Sequence, residues 1–168
     1  MAISCRCRIA RDKRNKKALM DARTKLMDLC DSVLIDPDLI PRDGKTYCNT
    51  AAYKICFNYG YDLYDPNRKD LMMANEIEAW VRSNWAKITG LKANRLANEG
   101  KIAMAAQKGT PHGHIAIIYP GAMVYSGKWA KEVPVVANVG ARNGVMGCNY
   151  AFKTEPAYYT DPKNNEVA

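Results

Sequence analysis

No apolar run in the 168 residues approaches the ~18 needed to cross a bilayer, which excludes a transmembrane helix. The chain has only two histidines and two phenylalanines. It has no internal repeat and no low-complexity tract. With 48% hydrophobic and 25% charged residues, this excludes wholesale disorder, collagen and a coiled coil. The N-terminus is positive but lacks an apolar stretch behind the charges. Residues 11–17 read Arg-Asp-Lys-Arg-Asn-Lys-Lys, so no Sec signal peptide is expected. Six cysteines without such a signal do not make a disulfide framework. Reduced thiols are expected, and Cys5, Cys7 and Cys148 have no assigned role.

What the chain does have is a concentrated positive charge. Residues 1–25 hold nine Lys or Arg and two Asp, for +7 of the total +8. The other 143 residues hold sixteen basic and fifteen acidic side chains, for +1. Such a segment suits a polyanion: nucleic acid, anionic lipid or anionic cell wall. It equally suits a solvated helix face. One domain over residues 1–168 is expected, with enough chain for a single core.

Residues 3–9 have strand character. Residues 12–30 read as an amphipathic helix, with Leu19, Ala22, Leu26, Leu29, Cys30 and Val33 at three- and four-residue spacing. Residues 36–44 carry two Pro and one Gly and read as a loop. A helix is expected from Cys48, with Ala52, Ile55, Cys56 and Tyr59 on its apolar face and Gly60 as its stop. Further helices are expected over 71–85 and 91–98. Residues 101–107, 114–119 and 133–139 read as strands, and the tail from Pro156 as irregular. Helices followed by an antiparallel sheet predict an α+β fold.

The two histidines, His112 and His114, flank Gly113, and His114 opens a strand. Zinc would need three or four suitably spaced ligands. Cys5-Arg6-Cys7 and His112-Gly113-His114 do not supply them, so no metal is expected. Among the cysteines, Cys48 opens a helix. There the free N–H groups and dipole lower a thiol's pKa. A histidine on a strand packed against that helix would supply the base. Cys30 and Cys56, on apolar helix faces, read as core thiols. Cys48 and His114 form either a catalytic pair or a buried thiol beside a loop histidine.

Gly44-Lys45-Thr46-Tyr47-Cys48-Asn49 before a helix, and Gly113-His114-Ile115-Ala116-Ile117-Ile118-Tyr119-Pro120-Gly121, resemble papain-like cysteine amidohydrolases of the NlpC and CHAP type. The resemblance spans residues 40–145 and leaves 1–35 as an additional N-terminal helical segment. It implies a papain-like core, with the nucleophile helix packed on an antiparallel β-sheet. It also implies Cys48 as nucleophile, His114 as base and a polar residue on the next strand. Asn138 is the natural third member, with Asn143 the alternative. By family analogy Tyr47 is the oxyanion donor. Asn49 and Trp129 are further candidate substrate-binding residues, and the insert at residues 122–131, which departs from the family pattern and carries Trp129, reads as a substrate loop. Trp80 reads as core or groove.

The implied activity is peptidoglycan hydrolysis at a stem-peptide or muramoyl–alanine amide, without a cofactor. The implied partners are the wall substrate, an anionic wall polymer on residues 6–25 and, for an injected effector, an immunity or inhibitor protein. Such a protein would be made in the cytoplasm and act at the wall after release or injection. Acyl transfer or deamidation of a protein, and a basic nucleic-acid-binding module without catalysis, are the alternatives.

Overall fold

The most apolar stretches of the chain lie in its second half, and they become the middle of a sheet. The computed structural model describes residues 3–65, 67 and 69–165, with side chains from Lys13 onward. The order is α1 (Ile3–Leu34), a 3-10 turn (Pro37–Leu39), α2 (Cys48–Phe57), β1 (Tyr64–Asp65), β2 (Asp70–Leu71), α3 (Ala74–Asn84) and β3 (Ala86–Ile88). Then come α4 (Gly90–Asn98), β4 (Ala103–Gln107), β5 (His114–Ile118), β6 (Val124–Ser126), β7 (Lys131–Val133) and β8 (Val135–Asn138). The chain closes with β9 (Gly144–Gly147), α5 (Cys148–Ala151), β10 (Ala157–Thr160) and α6 (Pro162–Asn165). The protein is a mixed α+β fold.

Six strands form one antiparallel sheet in the order β3-β10-β4-β5-β8-β9. Residues 103–106 of β4 and 115–118 of β5 are buried at every position, so both faces of the central strands are covered. β10 shows what covers them. Tyr158 and Tyr159 are adjacent and therefore point to opposite faces. A Cβ on Gly90, at the start of α4, would press on the Tyr158 ring at 3.3 Å. The Tyr159 hydroxyl lies beside Glu78 of α3. Thus α3 and α4 sit on opposite sides of the sheet.

α2 buries Ala51, Ala52, Ile55 and Cys56; three of these are the expected apolar face, and the fourth expected residue, Tyr59, lies past the helix end at Phe57. α1 packs with Leu26, Cys30 and Val33 in its second half. It touches the end of α4 at Gly100, whose φ is +72° and where a Cβ would strike the Ala22 backbone. The Lys25 ammonium donates to the Asn58 carbonyl (3.3 Å) and lies over the Tyr59 ring, fastening α1 to the end of α2. Residues 13–21 are exposed.

Several expectations are corrected. Residues 3–9 are helical, because they continue the charged helix that follows. The side chains of Cys5, Cys7, Arg6, Arg8 and Arg11 lie outside the described ones. The run 133–139 is broken at Pro134, which has no N–H for a ladder. Lys131–Val133 pairs with β6 in a separate hairpin, and Val135–Asn138 pairs with β5. The tail is not irregular: β10 lies between β3 and β4.

Candidate active site

Cys48 is the first residue of α2. Tyr47 before it is non-helical (φ −124°, ψ 34°), and its carbonyl takes the helix's first bond, from the Ala51 N–H at 3.0 Å. No side chain caps this end, so the N–H groups of the first turn need other partners. The Cys48 sulfur faces its own N–H, that of Asn49 and that of Ile115, the residue after His114. These donors pull the thiol's pKa down, as the helix start predicts. Burial outweighs them, and the net direction is upward. The thiolate expected from position alone is therefore not the resting form.

His114 opens β5, and the antiparallel β5–β8 pairing (Ile117↔Ala137, Ile118↔Val136) brings the end of β8 beside it. His114 Nε2 lies 2.7 Å from Asn138 Oδ1. The Asn138 amide donates to the Arg142 carbonyl at 2.5 Å, which turns its oxygen toward the ring. Nε2 is thus the protonated nitrogen, and Nδ1 is left as the acceptor. Phe152 stacks on the ring with centroids 4.9 Å apart. Burial lowers the His114 pKa, opposed by the Asn138 bond. Among the described residues the Cys48 thiol makes no hydrogen bond to this ring. The pair adjoins through the Ile115 N–H, both partners neutral.

Two cavities flank the pair. One of about 670 Å³ is lined by Cys48, Tyr47, Met73, Asn75 and Pro111 among others. The second, about 270 Å³, is lined by His114, Asn138, Gly140, Arg142, Met146 and Tyr150. Thr46 lines both and joins them. The two cavities thus meet at Thr46, one on the Cys48 side and one on the His114 side. Lys45 lines the larger cavity and Arg142 the smaller, and neither side chain has an ion-pair partner among the described residues.

The other expected residues divide. Tyr47 lines the larger cavity. Its hydroxyl accepts from Arg42 Nε at 3.2 Å, leaving its own proton free to donate. Asn49 also lines that cavity, but its side-chain amide donates to the Met72 carbonyl (3.1 Å) and ties α2 to the loop before α3. Asn143 does not meet His114. It accepts from Gly140 N–H and donates to the Leu39 carbonyl, fixing the β8–β9 turn. Trp129 is partly buried in the β6–β7 hairpin, and neither it nor any other residue of 122–131 lines either cavity. Trp80 packs edge-on against Trp85, 6.0 Å between centroids, partly buried against the core. Cys30, Cys56 and Cys148 are buried free thiols. His112, exposed, lines the larger cavity.

Asn75 was not foreseen. It grips Gly109 at both ends: Oδ1 accepts the Gly109 N–H (3.0 Å) and Nδ2 donates to the carbonyl (2.9 Å). This holds residues 108–113 as one wall of the larger cavity. No sequence spacing links residues 75 and 109. Phe152 was also missed, since an aromatic beyond the last expected strand carried no signal.

Among the described residues no three His, Cys, Asp or Glu side chains are grouped to hold a metal, and no helix is long and apolar enough to cross a membrane. No family model and no curated protein matches the chain.

Proposed function

We propose that the protein is a cysteine-dependent amidohydrolase with a papain-like core, cleaving an amide bond of peptidoglycan through a thioester. The observation that carries this is the His114–Asn138 contact of 2.7 Å beside a cysteine at a helix N-terminus, each lining one of two adjacent cavities. Cys48 gives its proton to His114 Nδ1 as the sulfur bonds to the carbonyl carbon. The oxyanion is met by the Cys48 backbone N–H and the Tyr47 hydroxyl. Collapse breaks the C–N bond, and His114 delivers the proton to the leaving amine. Water, deprotonated by His114, then attacks the thioester. The C–S bond breaks, and the acid and the Cys48 thiol are regenerated. Asn138 fixes the tautomer and stabilises the imidazolium. The cycle draws on no cofactor.

The wall as substrate is supported by the resemblance and by the basic, exposed face of α1. The finer reading, an anionic wall polymer bound along residues 6–25, belongs to the same proposal. The test is wild type and Cys48→Ala on isolated sacculi, with released fragments read by mass spectrometry. Defined fragments from wild type alone are expected, since loss of a nucleophile costs about 10⁶-fold in comparable hydrolases. Wild type inert on several wall chemotypes overturns the substrate. Equal release by both proteins overturns the mechanism.

A further inference from the structure

β9 ends the six-stranded sheet, so among the described residues its outer edge is unpaired. The register fixes which backbone groups face out. The Cys148 N–H donates to the Pro134 carbonyl at 3.0 Å, and hydrogen-bonded pairs alternate along an antiparallel ladder. Val136/Met146 and Asn138/Gly144 are therefore also bonded pairs. Val145, opposite Ala137, points both its N–H and its C=O away from β8. Among the described residues neither group has a partner.

A groove of about 330 Å³ follows this edge. It is lined by residues 142–146 and by Tyr150, which is 80% exposed. Arg142, Met146 and Tyr150 line both this groove and the His114 cavity. The edge is thus continuous with the candidate site, on the side of the group that protonates the leaving amine.

We propose that the leaving-amine portion of the substrate is an extended peptide that adds to β9 as a further strand. Its backbone pairs with the Val145 N–H and C=O, Tyr150 and Met146 cover one of its side chains, and Arg142 meets a carboxylate. This rests on the assignment of His114 as the acid of the reaction. A glycan or lipid offers no N–H and C=O at strand spacing, whereas an extended peptide offers both.

The test uses the full-length Cys48→Ala protein, isotope-labelled for NMR, with the synthetic tetrapeptide Ala-Glu-Lys-Ala as probe. Amide shifts concentrated at residues 144–147 and slowed solvent exchange at Val145 are expected. Val145→Pro should weaken binding about tenfold. It should leave the fold intact, because the N–H it removes faces outward. N-methylated versions of the peptide need no protein variant, and one methyl position should be far more damaging than its neighbours.

Shifts confined to the Cys48 cavity, unchanged binding to Val145→Pro, tolerance of every methyl group, or no binding at millimolar peptide each overturn the proposal. Sacculus hydrolysis by wild type separates the two readings. Hydrolysis without binding at β9 overturns this inference alone. Binding at β9 without sacculus hydrolysis overturns the wall substrate and keeps the peptide edge.

Discussion

α1 and α2 are neighbours that hold their shape by different means. α2 has ten residues and buries five of them, including Cys48. α1 has thirty-two, yet residues 13–21 are exposed, with Leu19 at 47% and Met20 at 60%. Packing fixes α2, whereas residues 13–21 of α1 face solvent and are held mainly by the helix's own backbone bonds. Tertiary burial, which decides most helical stability, is spent on the helix that carries the thiol. Among the described side chains, the basic helix is anchored from Ala22 onward. The charge and the chemistry are therefore physically separable.

That separation can be tested in order of effect. Asn138→Ala should lower kcat by about 10²–10⁴-fold, because the imidazole loses its orienting partner. Asn143→Ala should lower the melting temperature and spare most of the rate. Equal kinetic loss from both would show that turn geometry, rather than the ring contact, is what matters. In the core, Ile55→Ala should cost about 2–5 kcal/mol by denaturant unfolding. Leu19→Ala should stay within about 0.5 kcal/mol. A large cost at Leu19 would mean that the leading half of α1 is packed after all.

Acid should act on the site next. Burial holds His114 below its ordinary value. The ring therefore stays neutral, able to take the Cys48 proton, as pH falls through about 6.5. The acid limb of kcat/KM should lie below that pH. The unfolded chain binds the proton more readily there, so this residue's effect on stability is a loss as pH drops through the same range. An acid limb above pH 6.5 would contradict the buried neutral ring. The smallest effect is expected from reversing the charges of Lys13, Arg14, Lys16 and Lys17. Sacculus pull-down should weaken at low salt with the melting temperature unchanged. Unchanged pull-down would remove the segment from wall binding.

Much of the site was legible because its residues sit at element boundaries that local chemistry marks. Cys48 follows a glycine-containing loop and precedes an apolar face of helical spacing. His114 follows Thr-Pro-His-Gly and opens a β-branched run. Asn138 was reachable because a strand after β5 had to run antiparallel to it. The tail failed as a prediction because Tyr158 and Tyr159 are buried on opposite faces of a central strand, which erases the alternation that marks a half-exposed one. The thiol's direction also failed. A helix start lowers a pKa, but burial depends on what packs above the sulfur. The Asn75–Gly109 clamp joins elements thirty-four residues apart, a contact only the fold reveals.

Gly113 draws these points together. A Cβ there would collide with Asn75 Oδ1 and approach the Gln107 carbonyl to 2.6 Å. The histidine strand, its preceding loop and α3 are thus pressed together without room for a methyl group. One side of the larger cavity has no slack to swing inward over a bound molecule. That wall is a preset mould, whereas Tyr150 and Arg142, lining the smaller cavity, stand in solvent and are free to move.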